Sequence, residues 1–186
     1  MPQNIEIKAR ANDFQLQGLL AEKMSDTPPE TLVQLDTFFK VEHGRLKLRE
    51  FPDGPAQLIF YQRSDVPGPK LSDYQITESL DPEGLKKILS NAYTTIATVA
   101  KTRRLLISGR TRIHIDEVKG LGNFIELEVV LSEGESIAGG QSEAKKLMDR
   151  LQIREQDLIA QAYVDLILKN SESELDDAVI RQLVYR

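Results

Sequence analysis

Residues 110–128 read RTRIHIDEVKGLGNFIELE, and this stretch decides the fold. In its first half Arg110, Arg112, His114 and Asp116 occupy every second position, with Ile113 and Ile115 between them. In its second half Glu126 and Glu128 alternate with Ile125 and Leu127, and Lys119-Gly120-Leu121-Gly122 separates the halves as a turn. Side chains on a strand alternate between faces, so each half presents one charged and one apolar face. Two such strands joined by a short glycine-containing turn form an antiparallel hairpin.

The same pattern recurs outward from this hairpin. Asn4, Glu6 and Lys8 alternate with Ile5 and Ile7, and Arg45, Lys47 and Arg49 alternate with Leu46 and Leu48. An ordinary half-buried sheet shows such alternation with its charges in solvent. Here the signs are segregated, because some strands offer only cations on the polar face and others mainly carboxylates. A closed antiparallel barrel with a charged lumen would bring the two sets together.

Strand-like sequence covers 3–10, 31–41, 45–51, 56–63, YQITESL from Tyr74, 94–107, 110–118 and 123–131, which makes eight strands. Glu42-His43-Gly44 and Pro52-Asp53-Gly54-Pro55 are turns, and SDVPGPKLSD from Ser64 reads as a loop. Asp13 caps a helix through Phe14 and Met24, and Asp81-Pro82 begins a second through Leu85 and Leu89. Further helices are expected at 141–151 and 155–168, the latter with Leu158, Ala162 and Leu166 on an apolar face. The fold class is therefore α+β, an eight-stranded antiparallel closed β-barrel with flanking helices. Residues 1–170 are expected to form one domain, followed by a C-terminal tail or helix at 171–186.

Composition narrows the function. The chain has 186 residues, 40% of them hydrophobic and 28% charged, as in globular proteins. It has no cysteine, which removes disulfides and thiolate metal sites. The net charge of −5 speaks against general nucleic-acid binding. No run approaches the roughly 20 apolar residues of a membrane-spanning helix. MPQNIEIKAR enters strand-like sequence at once instead of reading as a signal peptide, so a cytoplasmic location is expected.

The polar faces then define two sets. Glu6, Asp116, Glu126 and Glu128 are the carboxylates, hard oxygen donors suited to Mg²⁺ or Mn²⁺. Lys8, Arg45, Lys47, Arg49, Arg63, Lys101, Arg103, Arg110 and Arg112 are the cations, with arginine forks and lysine point charges that fit phosphate oxygens. So many cations in one lumen repel each other unless an anion joins them. For Arg45 and Arg103 the competing reading is a solvated outer side chain paired with Asp or Glu. His43 lies in a turn. His114 shares the parity of Arg112 and Asp116, where it would bind phosphate or orient Asp116. Ser72 and Tyr74, which follow Lys70 at strand spacing, are candidates to meet the non-phosphate part of a substrate. A Walker-type glycine loop and a Ser-His-Asp series are both missing from the sequence.

NIEIK at 4–8 resembles the Glu-x-Glu-x-Lys signature of the CYTH superfamily, the triphosphate tunnel metalloenzymes. The resemblance continues through QLDTFF, LKLRE, LIFYQRSD, KTRR and GRTRIHIDEVKGLGNFIELE, and covers most of residues 3–168. That family includes class IV adenylyl cyclases, thiamine triphosphatases and inorganic triphosphatases. The resemblance implies an eight-stranded tunnel, with Lys8, Lys47, Arg49, Arg63 and Arg112 at the phosphate-binding positions. It places Glu6, Asp116, Glu126 and Glu128 at the acidic, metal-ligating and catalytic ones. Asn4 stands where the signature has its first glutamate. It offers a carbonyl oxygen but neither a charge nor a general base.

The function expected is that of a metal-dependent enzyme acting on a small-molecule triphosphate, foremost a triphosphatase, with Mg²⁺ or Mn²⁺ as cofactor. The alternatives are a class IV-type adenylyl cyclase, which the 109–128 block resembles more than it does the thiamine-specific branch, and a non-catalytic polyphosphate or nucleotide sensor. No nucleic-acid or membrane partner is expected, and the chain is expected to be a monomer or homodimer.

Overall fold

The eight strands close on themselves. In the computed structural model, which describes residues 2–171, they are β1 (Gln3–Arg10), β2 (Glu30–Phe39), β3 (Arg45–Glu50), β4 (Ala56–Arg63), β5 (Lys70–Ser79), β6 (Thr95–Ser108), β7 (Thr111–Val118) and β8 (Gly122–Val130). Around the barrel the order is β1-β5-β4-β3-β2-β6-β7-β8, with β8 returning to β1, and every pairing is antiparallel. Among the described residues, closure leaves no open sheet edge.

Helices cover the outside, and the alternation of the strands explains where. Ile5, Ile7, Ile113, Ile115, Ile125 and Leu127 all turn outward and are fully buried. They are covered by α1 (Phe14–Met24) and α3 (Ile137–Arg150), which contribute Ala21, Ala144, Leu147 and Met148. On another side Phe39, Leu48 and Ala56 are covered by Leu85 and Leu89 of α2 (Pro82–Ala92). Asp13, Asp81 and Ser136 each accept a backbone N–H in the first turn of their helix, so all three starts are capped by side chains. Gly140 lets α3 lie close to the barrel, because a Cβ there would stand 2.6 Å from Leu131 and 2.7 Å from Ile5.

Three elements differ from the sequence reading. β5 begins at Lys70, immediately after the Pro-Gly-Pro sequence, and not at Tyr74. Pairing explains the gain: Ser72 lies opposite both Asn4 of β1 and Arg63 of β4, so the strand is held from two sides. Helix α3 starts at Ile137, ahead of Gly139-Gly140. The continuous helix expected at 155–168 is divided. A 3-10 turn spans Glu155–Asp157, Leu158 bridges to Ala9, the Ile159 N–H donates to the Lys8 carbonyl, and helix α4 begins at 163 and is described to 171. The segment thus satisfies backbone groups near the end of β1 before it turns into a helix. The expectation of a tail or helix at 172–186 falls outside the described residues.

One end of the lumen is filled. Phe38, Val99, Val118 and Phe124 have lumen parity and pack with Ala162, Tyr163 and Val164 at the start of α4. Among the described residues no helix is long and apolar enough to cross a membrane.

Candidate functional site: the charged lumen

Beyond that apolar plug lies a cavity of about 520 Å³, within the range of small-molecule sites. Seven basic side chains line it: Lys8, Lys47, Arg49, Arg63, Lys101, Arg103 and Arg112. Four carboxylates, Glu6, Asp36, Glu126 and Glu128, stand among them, and Glu30, Asp53 and Glu78 line its exposed outer part. The barrel therefore brings together cations from five strands that are scattered over more than a hundred residues of sequence.

The basic groups are held in three clusters. Asp36 on β2 receives Lys47 Nζ at 2.8 Å, Lys101 Nζ at 2.8 Å, and Arg49 through Nε at 2.7 Å and Nη2 at 2.9 Å. Burial alone would raise the Asp36 pKa, but Arg49, Lys101 and Lys47 outweigh it and hold the carboxyl well below its usual range. For two of the lysines burial wins instead. Burial, with the neighbouring arginines adding, pulls Lys101 down to about 7 and Lys47 to about 8 against the pull of Asp36.

The second cluster is centred on Arg103 of β6. Its Nε donates to Asp116 at 2.7 Å, and its Nη2 donates to Asp116 at 2.6 Å and to Glu126 at 2.5 Å. Lys8 also pairs with Glu126 and lies 3.7 Å from the centre of the Tyr163 ring. The Tyr163 hydroxyl donates to Asp116 at 3.0 Å. Burial opposes the charged forms of Arg103, Asp116 and Glu126, yet Arg103 keeps Asp116 depressed, while Lys8 and Arg103 keep Glu126 well below its usual range.

The third cluster is less enclosed. Arg112 Nε donates to Glu128 at 2.8 Å, with the Tyr74 hydroxyl 3.5 Å from its Nη2. Arg63 Nε stands 3.3 Å from Glu6, and its Nη1 donates to the Ala160 carbonyl at 2.9 Å. Between the second and third clusters, His114 Nδ1 lies 3.6 Å from Glu126 and 3.8 Å from Glu128.

Not every cation of the sequence reading reaches the cavity. Arg110 is corrected to an outer position: it precedes β7 in the turn, and Glu143 and Glu135 hold it beside α3. Strand parity fails there because the strand has not yet begun. Arg45 bonds Asp65 at 2.7 Å and Asp165 at 2.9 Å, apart from the cavity lining. Arg103, by contrast, is buried inside. Asp116 is fully buried and engaged by Arg103 and Tyr163, and it does not line the cavity.

The sequence reading missed Asp36, Lys70 and Tyr163. Asp36 could have been found by parity, since Gln34, Asp36 and Phe38 alternate on β2 and all line the cavity. Lys70, buried opposite Glu6 in register and pulled by burial to about 8, was obscured by the preceding Pro-Gly-Pro. Tyr163 has no local signal, because it reaches the lumen only through the turn between Leu158 and α4.

The comparisons with known proteins agree with this geometry. The family model for the CYTH domain matches residues 2–163. None of the curated proteins matches the sequence. Among solved structures, PH1012 from Pyrococcus horikoshii OT3 is similar at a TM-score of 0.77 and 20% identity, over 88% of this chain and 98% of that one. A candidate adenylate cyclase from Vibrio parahaemolyticus gives 0.70 and 18%, over 88% of this chain and 97% of that one. HpAC1 from Hippeastrum, a candidate adenylyl cyclase described as having a dominant triphosphatase activity, gives 0.61 and 14%, over 92% and 96%. At these identities the likeness is one of fold.

Proposed function

Because the chain belongs to the CYTH domain family, we propose that it is a metal-dependent enzyme acting on a small-molecule triphosphate, foremost a triphosphatase. The observation that carries this reading is the enclosed set of seven cations converging on one cavity of about 520 Å³. Lumen cations held on internal carboxylates are matched by a polyanion that can take over those contacts.

The chain's own groups would work as follows. Lys47, Arg49 and Lys101 exchange part of their contact with Asp36 for phosphate oxygens. Arg63, buried beside Glu6, and the more exposed Arg112 hold further oxygens, and Arg112 can present two parallel N–H groups. Phosphoryl transfer passes through a loose transition state, so positioning and charge neutralisation carry most of the catalysis.

The donor set fits a divalent cation. Glu126, Glu128 and His114 each place a ligand atom within 4.8 Å of the others, in a partly buried, cysteine-free pocket. Mg²⁺ or Mn²⁺ there would supply charge neutralisation and would lower the pKa of a bound water. Glu126 and Glu128 would hold it, with Glu6 opposite Glu128 on the same face of the neighbouring strand.

Cyclisation of ATP is the second reading. Leu32, Phe51, Ile76 and Leu105 line the cavity and offer apolar surface for a base or other organic group. Incubation with ATP, inorganic triphosphate and thiamine triphosphate, each with Mg²⁺ or Mn²⁺, decides between them by product. Orthophosphate is the expected product. Cyclic AMP with pyrophosphate would favour the cyclase, and binding without any product would leave a sensor.

A further inference from the structure

In the scheme above the ion goes to Glu126 and Glu128, and the part of their neighbour His114 is unassigned. His114 is 4% exposed, and its Nδ1 is buried without a hydrogen-bond partner among the described residues. Leaving a buried polar atom unpaired is costly, so such an atom in a site calls for a partner. Glu126 Oε2 at 3.6 Å and Glu128 Oε1 at 3.8 Å are both too far for hydrogen bonds. They are nevertheless well spaced for sharing a cation. A metal ion about 2.0–2.2 Å from each of its nitrogen and oxygen ligands holds adjacent ligand atoms roughly 3–4 Å apart.

We infer that His114 is a direct ligand of the divalent ion, in a mixed nitrogen–oxygen centre with Glu126 and Glu128; this rests on the metal-dependent reading above. The carboxylates keep capacity for it. Glu128 gives Oε2 to Arg112 and turns Oε1 toward His114. Glu126 Oε2 accepts from Arg103, and a carboxylate oxygen has a second lone pair. Arg103 in turn is neutralised from its other side by Asp116, which limits its repulsion of an incoming cation.

The register supports the arrangement. His114 lies opposite Glu126 across the β7–β8 ladder, and Glu128 lies two residues along the same face. The three side chains are therefore fixed by backbone pairing and not by loop conformation. On β1 the lumen positions opposite Glu128 and Glu126 are Glu6 and Lys8, and one lumen step beyond Glu6 stands the neutral Asn4, whose Oδ1 is likewise buried without a hydrogen-bond partner among the described residues. An imidazole ligand shifts preference away from Mg²⁺, which takes oxygen, toward Mn²⁺ and the later first-row ions.

The test is spectroscopic and needs no turnover. Mn²⁺ is added to the full chain without substrate, and electron spin-echo envelope modulation looks for ¹⁴N coupling from a directly bound imidazole. The chain has two histidines, and His43 is exposed in the β2–β3 turn, so His43→Gln serves as a control. The expected result is ¹⁴N coupling in the wild type and in His43→Gln, lost in His114→Gln. Mn²⁺ affinity should fall at least about tenfold in His114→Gln, since even outer-shell changes cost about 10–100-fold. The Mn²⁺ to Mg²⁺ affinity ratio should fall with it. Bound Mn²⁺ without nitrogen coupling, unchanged affinity in His114→Gln, or no Mn²⁺ binding at all would each overturn the assignment. Should His114→Gln fail to fold, the wild-type spectrum alone decides. Coupling without any triphosphate turnover would overturn the enzymatic reading and leave the ligand assignment standing. Turnover without coupling would do the reverse.

Discussion

Asp36 and Arg49 face each other directly across the β2–β3 ladder and are joined by two parallel hydrogen bonds of 2.7 and 2.9 Å. Lys47 and Lys101 converge on the same carboxylate, so one buried anion holds three cations in place. Asp36 thus keeps the cationic side of the lumen assembled before any substrate arrives. The arrangement is preorganised, with the cost of gathering the cations met within the fold.

Asp36→Asn removes the shared charge and leaves three buried cations unmatched. Breaking a buried ion pair from one side costs about 3–5 kcal/mol, so the variant should unfold at markedly lower denaturant. Inorganic triphosphate supplies the missing charge and should recover much of the loss. Urea titrations with and without triphosphate check this, and a variant as stable as the wild type would show that Asp36 has no such role.

Arg49→Ala and Arg112→Ala should each weaken triphosphate binding. Each removes charge-assisted hydrogen bonds worth about 1.5–3 kcal/mol, or roughly one to two orders of magnitude in dissociation constant. Calorimetry with inorganic triphosphate measures it. Unchanged affinity in both would remove these residues from the phosphate site.

Binding should take up protons in mildly alkaline solution. Burial lowers Lys101 to about 7 and Lys47 to about 8, below the 10.5 of an unfolded lysine. Between those values the unfolded chain holds protons that the folded lysines release. These two groups therefore make the free protein more stable as pH rises through that window, whereas below about pH 7 the full cost of burying their charge is present. A bound polyanion restores the charge, so affinity should fall as pH rises above about 8. Calorimetry at pH 8.5 in buffers of different ionisation enthalpy should report net proton uptake, reduced in Lys101→Arg. Absence of uptake in the wild type would mean that the lysines are already charged in the free protein.

Glu126→Gln with Glu128→Gln should abolish metal-dependent turnover. The double variant also leaves Lys8 unpaired and Arg112 without its carboxylate, so its fold must be checked by circular dichroism alongside activity. Asn4→Glu, which restores a carboxylate at the lumen end of β1, should raise divalent-ion affinity. Metal titrations that leave Asn4→Glu indistinguishable from the wild type would place that residue outside the site.

The sequence by itself determined the barrel and most of its lining, because strand geometry links parity to face with no tertiary information. Once residues 110–128 read as a hairpin with charge on one side, the lumen positions of Arg112, His114, Glu126 and Glu128 followed, as did the outward burial of Ile113, Ile115, Ile125 and Leu127. Parity failed where the strand had not begun, as at Arg110, or where a proline-rich segment concealed its start, as at Lys70. Only the tertiary structure decided which carboxylate partners which cation, since Asp36 meets Lys101 across the β2–β6 ladder, 65 residues away. It also decided how the lumen is closed. Tyr163 enters because Leu158 and Ile159 first pair with β1, and that pairing depends on backbone groups at the end of a strand more than a hundred residues earlier. Local periodicity reports which way a side chain points. Which long-range partner it meets depends on barrel register and closure, which no single segment encodes.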